Sequence, residues 1–126
     1  MLSYDTVVDD LADRLPEIRP RLRKIEEGEG EVSPFAAFSA LAKFAIETMQ
    51  SSQDSSGHDG DVISELRARV LDFIEDAAKP EDDLTRSLFI TGFLEALVWA
   101  GPPGKLVARH LRPLSRRLYK RSKHLL

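Results

Sequence analysis

Apolar residues recur at every third or fourth position along most of this chain, and prolines and glycines cut the pattern into stretches of helical length. That period belongs to a helix with one buried face, and no segment alternates as a strand would. The first stripe, Val8, Leu11, Ala12 and Leu15, follows Asp5 as a predicted N-cap, with Asp9 and Asp10 in the first turns, where acids favour the helix dipole. Pro16 marks a break or a fresh first turn. Ile18, Leu22 and Ile25 then continue as a second stripe, disturbed by Pro20 and ended at Gly28 and Gly30.

Ser33 and Pro34 read as a cap followed by proline at the first helical position. Phe35, Phe38, Leu41, Ala42, Ala45 and Met49 carry the apolar face, which Phe44 and Ile46 widen. A stripe that broad places the helix between neighbours, and its alanines admit close approach. Residues 51–60, rich in Ser, Asp and Gly, are predicted to be a mobile loop. Asp61 then caps a helix whose inward face is Ile63, Leu66, Val70, Phe73, Ile74 and Ala77, ending near Lys79 and Pro80.

The most apolar stretch runs from Leu84 to Trp99 and is predicted to be one long central helix. Gly92 in its middle is costly unless a neighbour packs on the bare backbone. Gly101-Pro102-Pro103-Gly104 ends it, and a last helix at about 105–124 turns Leu106, Val107, Leu111, Leu114 and Leu118 inward, with a bend at Pro113. The expectation is an all-α fold: a compact bundle of five or six helices forming a single domain over residues 1–126.

Charge is divided along the chain. Residues 1–104 hold all 21 acidic residues against 10 basic ones, a net −11, whereas residues 105–126 hold 8 basic residues and no acid. An acidic body with a basic end calls for a partner, internal or external. Absence of cysteine excludes disulfide scaffolds, cysteine zinc sites and thiol catalysis, and fits a reducing compartment. No apolar run is long enough to cross a bilayer, and Met1 to Asp5 carries no signal-peptide pattern, so a cytoplasmic location is expected.

Candidate chemical sites mostly fail on spacing. Asp54 and Glu65 stand at the first and twelfth positions of a calcium loop, but His58 and Asp59 occupy the places that need an oxygen ligand and a glycine. His58, His110 and His124 have no zinc-site spacing. Glu95, among apolar neighbours, is the one plausible catalytic acid, and a structural role fits it better. Neither catalytic residues, nor a metal, nor a cofactor is therefore expected. The basic end, Arg109, Arg112, Arg116, Arg117, Lys120, Arg121 and Lys123 with Tyr119 interleaved, could neutralise phosphates, touch an anionic membrane, meet a protein partner, or dock across the protein's own acidic helices, and the last is favoured.

The order Tyr4, Leu11-Ala-Asp-Arg-Leu-Pro-Glu-Ile18, Phe38 to Met49, Val70-Leu-Asp-Phe-Ile-Glu-Asp76, Phe93-Leu-Glu-Ala-Leu97 and Leu111-Arg-Pro-Leu114 resembles a small all-helical bacterial family catalogued as a domain of unknown function. The likeness covers about residues 4–119. In layout the chain is also similar to the small acidic helical immunity proteins that neutralise bacterial toxins. Neither likeness supplies catalytic residues. Glu75 and Glu95 are the polar positions of the shared pattern, fit for buried hydrogen bonds or a contact surface. Together these point to a non-enzymatic protein-binding domain that masks a toxin or effector, with Asp9, Asp10, Asp13 and Glu17 meeting a basic partner patch. The alternative is a nucleic-acid-binding accessory protein using Arg109, Arg112, Arg116, Arg117 and Lys120.

Overall fold

The structure, a computed structural model, describes residues 2–54, 58–79 and 82–125. Eight α-helical segments follow one another: α1 (Val7–Arg14), α2 (Arg19–Glu29), α3 (Pro34–Asp54), α4 (His58–Ala77), α5 (Asp83–Leu88), α6 (Glu95–Trp99), α7 (Pro102–His110) and α8 (Pro113–Leu125). A 3₁₀ turn, Pro16–Ile18, joins α1 to α2, and a π-helical segment, Phe89–Leu94, fuses α5 to α6. The fold is all-α, and no strand occurs among the described residues.

Local signals explain most boundaries. The first helix starts at Val7 rather than at an Asp5 cap: the Ser3 carbonyl accepts from the Thr6 and Val7 amides at 3.2 and 2.9 Å. Pro20 lies in the first turn of α2, where its missing amide costs nothing, so it starts that helix instead of disturbing it. Gly30 closes α2 at φ 90°, a conformation open to glycine. Ser33 Oγ accepts the Ala36 amide at 3.1 Å and caps α3. Asp82 caps α5 through the Thr85 amide at 2.7 Å.

Three expectations need correction. The predicted 51–60 loop is largely helical: α3 continues to Asp54 and α4 begins at His58, before the proposed Asp61 cap, while residues 55–57 lie outside the described residues. Residues 58–65, part of the calcium-loop comparison, are therefore helical. The expected long apolar helix is divided at its centre by the π segment, where the Glu95 amide reaches back to the Ile90 carbonyl, five residues away. The basic end is two helices rather than one bent helix. Proline at 113 has no amide to donate and disfavours helical geometry before it, and Leu111 is already extended at ψ 145°.

The hub of the bundle is α3, which packs against α1, α2, α4, α5, the π segment, α6 and α7. Ala37, Ala40, Ala42 and Ala45 are buried along it and let those partners approach. Around it, Phe38, Phe73, Phe89 and Phe93 are fully enclosed, with Phe38 edge-on to Phe89 at 5.7 Å and Phe89 stacked on Phe93 at 5.2 Å. Gly92 sits where the expectation required, its backbone against Phe38 and Phe35. Gly104, in the first turn of α7, lies so close to the end of α6 that a Cβ there would stand 1.8 Å from the Leu97 carbonyl oxygen. Phe35, Leu84 and Trp99, which the apolar pattern assigned to the interior, are largely exposed.

Candidate functional site

The acidic residues and the basic residues meet different fates. Glu17, in the 3₁₀ turn, receives both terminal nitrogens of Arg69 from α4 at 3.0 and 2.5 Å, and this pairing, outweighing partial burial, holds its carboxyl below the usual range. Asp13 is 3.7 Å from Arg19. Arg14 crosses to α4 in return, pairing with Asp76 at 2.7 Å and standing 5.0 Å from the centre of the Phe73 ring. Asp10 borders the open cleft formed there with Leu2, Arg14, Asp76 and Lys79. Asp9 is exposed. Two of the four acids expected to meet a partner are thus engaged within the fold.

Acidic α4 also anchors the basic end. Glu75 accepts from the Leu114 and Ser115 amides at 3.0 and 2.8 Å, capping the N-terminus of α8 with a carboxylate from another helix. Burial pushes the Glu75 carboxyl upward, but these amides, the Ser115 hydroxyl and the charge of Lys79 outweigh it and leave the group below its ordinary value. Asp72 accepts from Arg112 Nε at 3.0 Å. Internal docking therefore accounts for Arg112.

The other cations converge. Between α7 and α8 lies an open groove of about 310 Å³, with Lys105 and Arg109 on one side, Arg116, Lys120 and Lys123 on the other, and Ala108 with Tyr119 between them. Among the described residues no acid lines it. Arg116 donates to the Arg109 carbonyl at 2.9 Å, which ties the two helices together near their junction. Tyr119 is 7% exposed, so it forms floor and offers little ring face to a stacked base. His110 reports the same field: its pKa lies below the ordinary value through burial first, then through Arg67, Arg109 and Arg116.

Of the predicted nucleic-acid contacts, Arg109, Arg116 and Lys120 come together, whereas Arg112 is paired with Asp72 and Arg117 is exposed outside the groove. Lys105 was missed. It precedes the cluster by four residues, and its place in the groove depends on the break at Pro113 that folds α8 beside α7. Glu95 is half-buried at the start of α6 and belongs to neither wall of this groove. Among the described residues no group of three or more His, Asp or Glu is placed to hold a metal, and no helix is long and apolar enough to cross a membrane.

No curated protein and no solved structure matches the chain. One family model does, over residues 8–126, nearly the whole span of helices that builds the core and the groove. The chain belongs to that family, the domain of unknown function DUF7674.

Proposed function

We propose that this domain is a non-enzymatic protein-binding module whose contact surface is the basic groove between α7 and α8, and whose partner presents an acidic, partly apolar surface to it. The observation that carries the reading is the gathering of five cationic side chains around an Ala108–Tyr119 floor, with no acid lining it among the described residues. An apolar floor rewards a partner with an apolar ridge between its carboxylates, and charge complementarity steers encounter and fixes orientation. Masking of a toxin or effector by occlusion is a role such a module can serve without chemistry of its own. The acidic surface of α1 and the 3₁₀ turn is the weaker contact because Glu17 and Asp13 are held by Arg69 and Arg19.

A second reading, nucleic-acid binding, draws on the same cations and on Arg117 and Arg121, which extend the positive surface along exposed positions of α8. Phosphate contacts alone would leave the apolar floor unused, and the −11 charge of residues 1–104 opposes a long polyanion. The deciding experiment compares wild type with Arg116→Glu/Lys120→Glu as bait in extracts of the native host, with nuclease and at stepped salt. The expected result is a nuclease-resistant protein partner, released by salt and lost by the double variant. Capture of the same partner by both baits would refute the groove, and capture abolished by nuclease would transfer the function to nucleic acid.

A further inference from the structure

A second groove, of about 430 Å³, lies between α2 and the first half of α3, on a part of the molecule that the reading above does not use. Its walls include Ile25, Ala36 and Ala40 as apolar surface, with Lys24 and Lys43 as cations. The Arg21–Glu47 ion pair sets α2 against α3 with the chain reversed, so Lys24 and Lys43 share one end and Glu29 and Phe35 the other. Arg21 is neutralised by that pair, and the two lysines carry the free charge of their end.

Phe35 and Ser39 connect this groove to the π segment. Phe35 is 48% exposed, an uncommon state for a phenylalanine beside a helix bundle. Its Cδ2 lies 3.5 Å from the place a Cβ would take on Gly92, so the bare glycine seats part of the ring while the rest faces the groove. Ser39 Oγ donates to the Gly92 carbonyl at 3.3 Å, holding α3 to the same turn of π helix. Irregular π turns recur at functional sites, and this one supports two residues of the groove wall.

We infer that the α2–α3 groove binds a small organic anion with a flat or extended apolar body, its charged head between Lys24 and Lys43 and its body lying over Ile25, Ala36 and Ala40 toward Phe35. Lys43 lies eight helical steps beyond Phe35, a run of about 12 Å that fits a ligand of two fused rings or a short acyl chain. An apolar cleft with few charged groups at one end is the common form of small-molecule sites, and the glutamate at the Phe35 end favours a single orientation of the anion.

The test is fluorescence titration with anilinonaphthalene sulfonate, an anion with a flat apolar body, beside its uncharged parent phenylnaphthylamine. Lys24→Glu/Lys43→Glu, at exposed positions that leave the helices intact by circular dichroism, is expected to weaken the sulfonate about tenfold or more, and Phe35→Ala about threefold to tenfold. The uncharged parent should bind more weakly than the sulfonate to wild type and lose nothing on lysine reversal. Wild-type affinity in the lysine variant, equal binding of the uncharged parent, or loss of binding in Lys105→Glu/Lys120→Glu instead would each overturn the assignment.

Discussion

Gly104→Ala is the substitution on which the packing leaves least room. The added Cβ would stand 1.8 Å from the Leu97 carbonyl oxygen, 2.7 Å from its carbon and 3.1 Å from its Cα, whereas real Cβ contacts stay beyond 3.0 Å. The obstacle is helix backbone, so relief requires α7 to move from the end of α6 by roughly 1.2 Å, the difference between 3.0 and 1.8 Å. Overpacking of buried positions costs about 1–3 kcal/mol, and an obstacle that cannot rotate away places this case at the upper end. The gain of alanine over glycine in a helix returns less than about 1 kcal/mol. Net destabilisation of about 2–3 kcal/mol lowers Tm by about 8–12 °C in a domain of this size. Gly28→Ala, with nothing within 4 Å, is the control and should raise Tm by a few degrees. Gly92→Ala meets Phe38 Cβ at 3.0 Å and the Phe35 carbonyl at 3.2 Å, and should fall between the two. Thermal unfolding followed by circular dichroism ranks all three. A Gly104→Ala protein melting within 2 °C of wild type, on the same scale of about 4 °C per kcal/mol, would refute the reasoning.

Glu75→Gln removes a carboxylate from the α8 amides and should cost about 1 kcal/mol at neutral pH by denaturant titration. Because the Glu75 carboxyl is held below its ordinary 4.5, the folded state binds fewer protons than the unfolded one, so its contribution is complete above that value and fades as pH falls through the lowered one; the gap between wild type and variant should narrow there. A Glu17→Ala/Arg69→Ala double-mutant cycle should return a coupling below about 1 kcal/mol, since both side chains are more than a third exposed. Arg116→Glu removes one of the charges that hold the His110 pKa down, and NMR titration should find it raised relative to wild type.

The helices were legible because burial on one face imposes a period that survives in the sequence, as at Phe38, Leu41, Ala45 and Met49. The bare backbone of Gly92 was legible for the same reason: a glycine inside so apolar a run needs a close neighbour. Long-range partners were not. Glu75 meets α8 at residues 39 and 40 positions away, and no local pattern distinguishes a carboxylate that caps another helix from one that faces water. The π segment has no composition of its own, so residues 84–99 read as one rod and took the central role that α3 holds. Polar composition over 51–60 suggested a loop, yet propensity differences of tenths of a kcal/mol for residues such as Ser and Gln do not end α3 before Asp54, and α4 has begun by His58. The motif order gave a resemblance to a domain-of-unknown-function family over about residues 4–119, and the family match over residues 8–126 shows membership in one.

The candidate site was half visible. Composition located the basic end, but only the fold separates Arg112, spent on Asp72, from Lys105, Arg109, Arg116, Lys120 and Lys123, which remain around a common floor. The acidic residues of α1 and the 3₁₀ turn carried the same ambiguity, and the arginines that engage Asp13 and Glu17 come from α2 and α4.

The most direct measurement is a map of amide shifts in the ¹⁵N-labelled domain titrated with an acidic polypeptide, poly-glutamate interrupted by leucine, at low and moderate salt. The account predicts a salt-weakened set of shifts at Lys105, Arg109, Arg116, Lys120 and Lys123, absent in Arg116→Glu/Lys120→Glu. Shifts centred on another surface, or a titration that the double variant leaves unchanged, would contradict it.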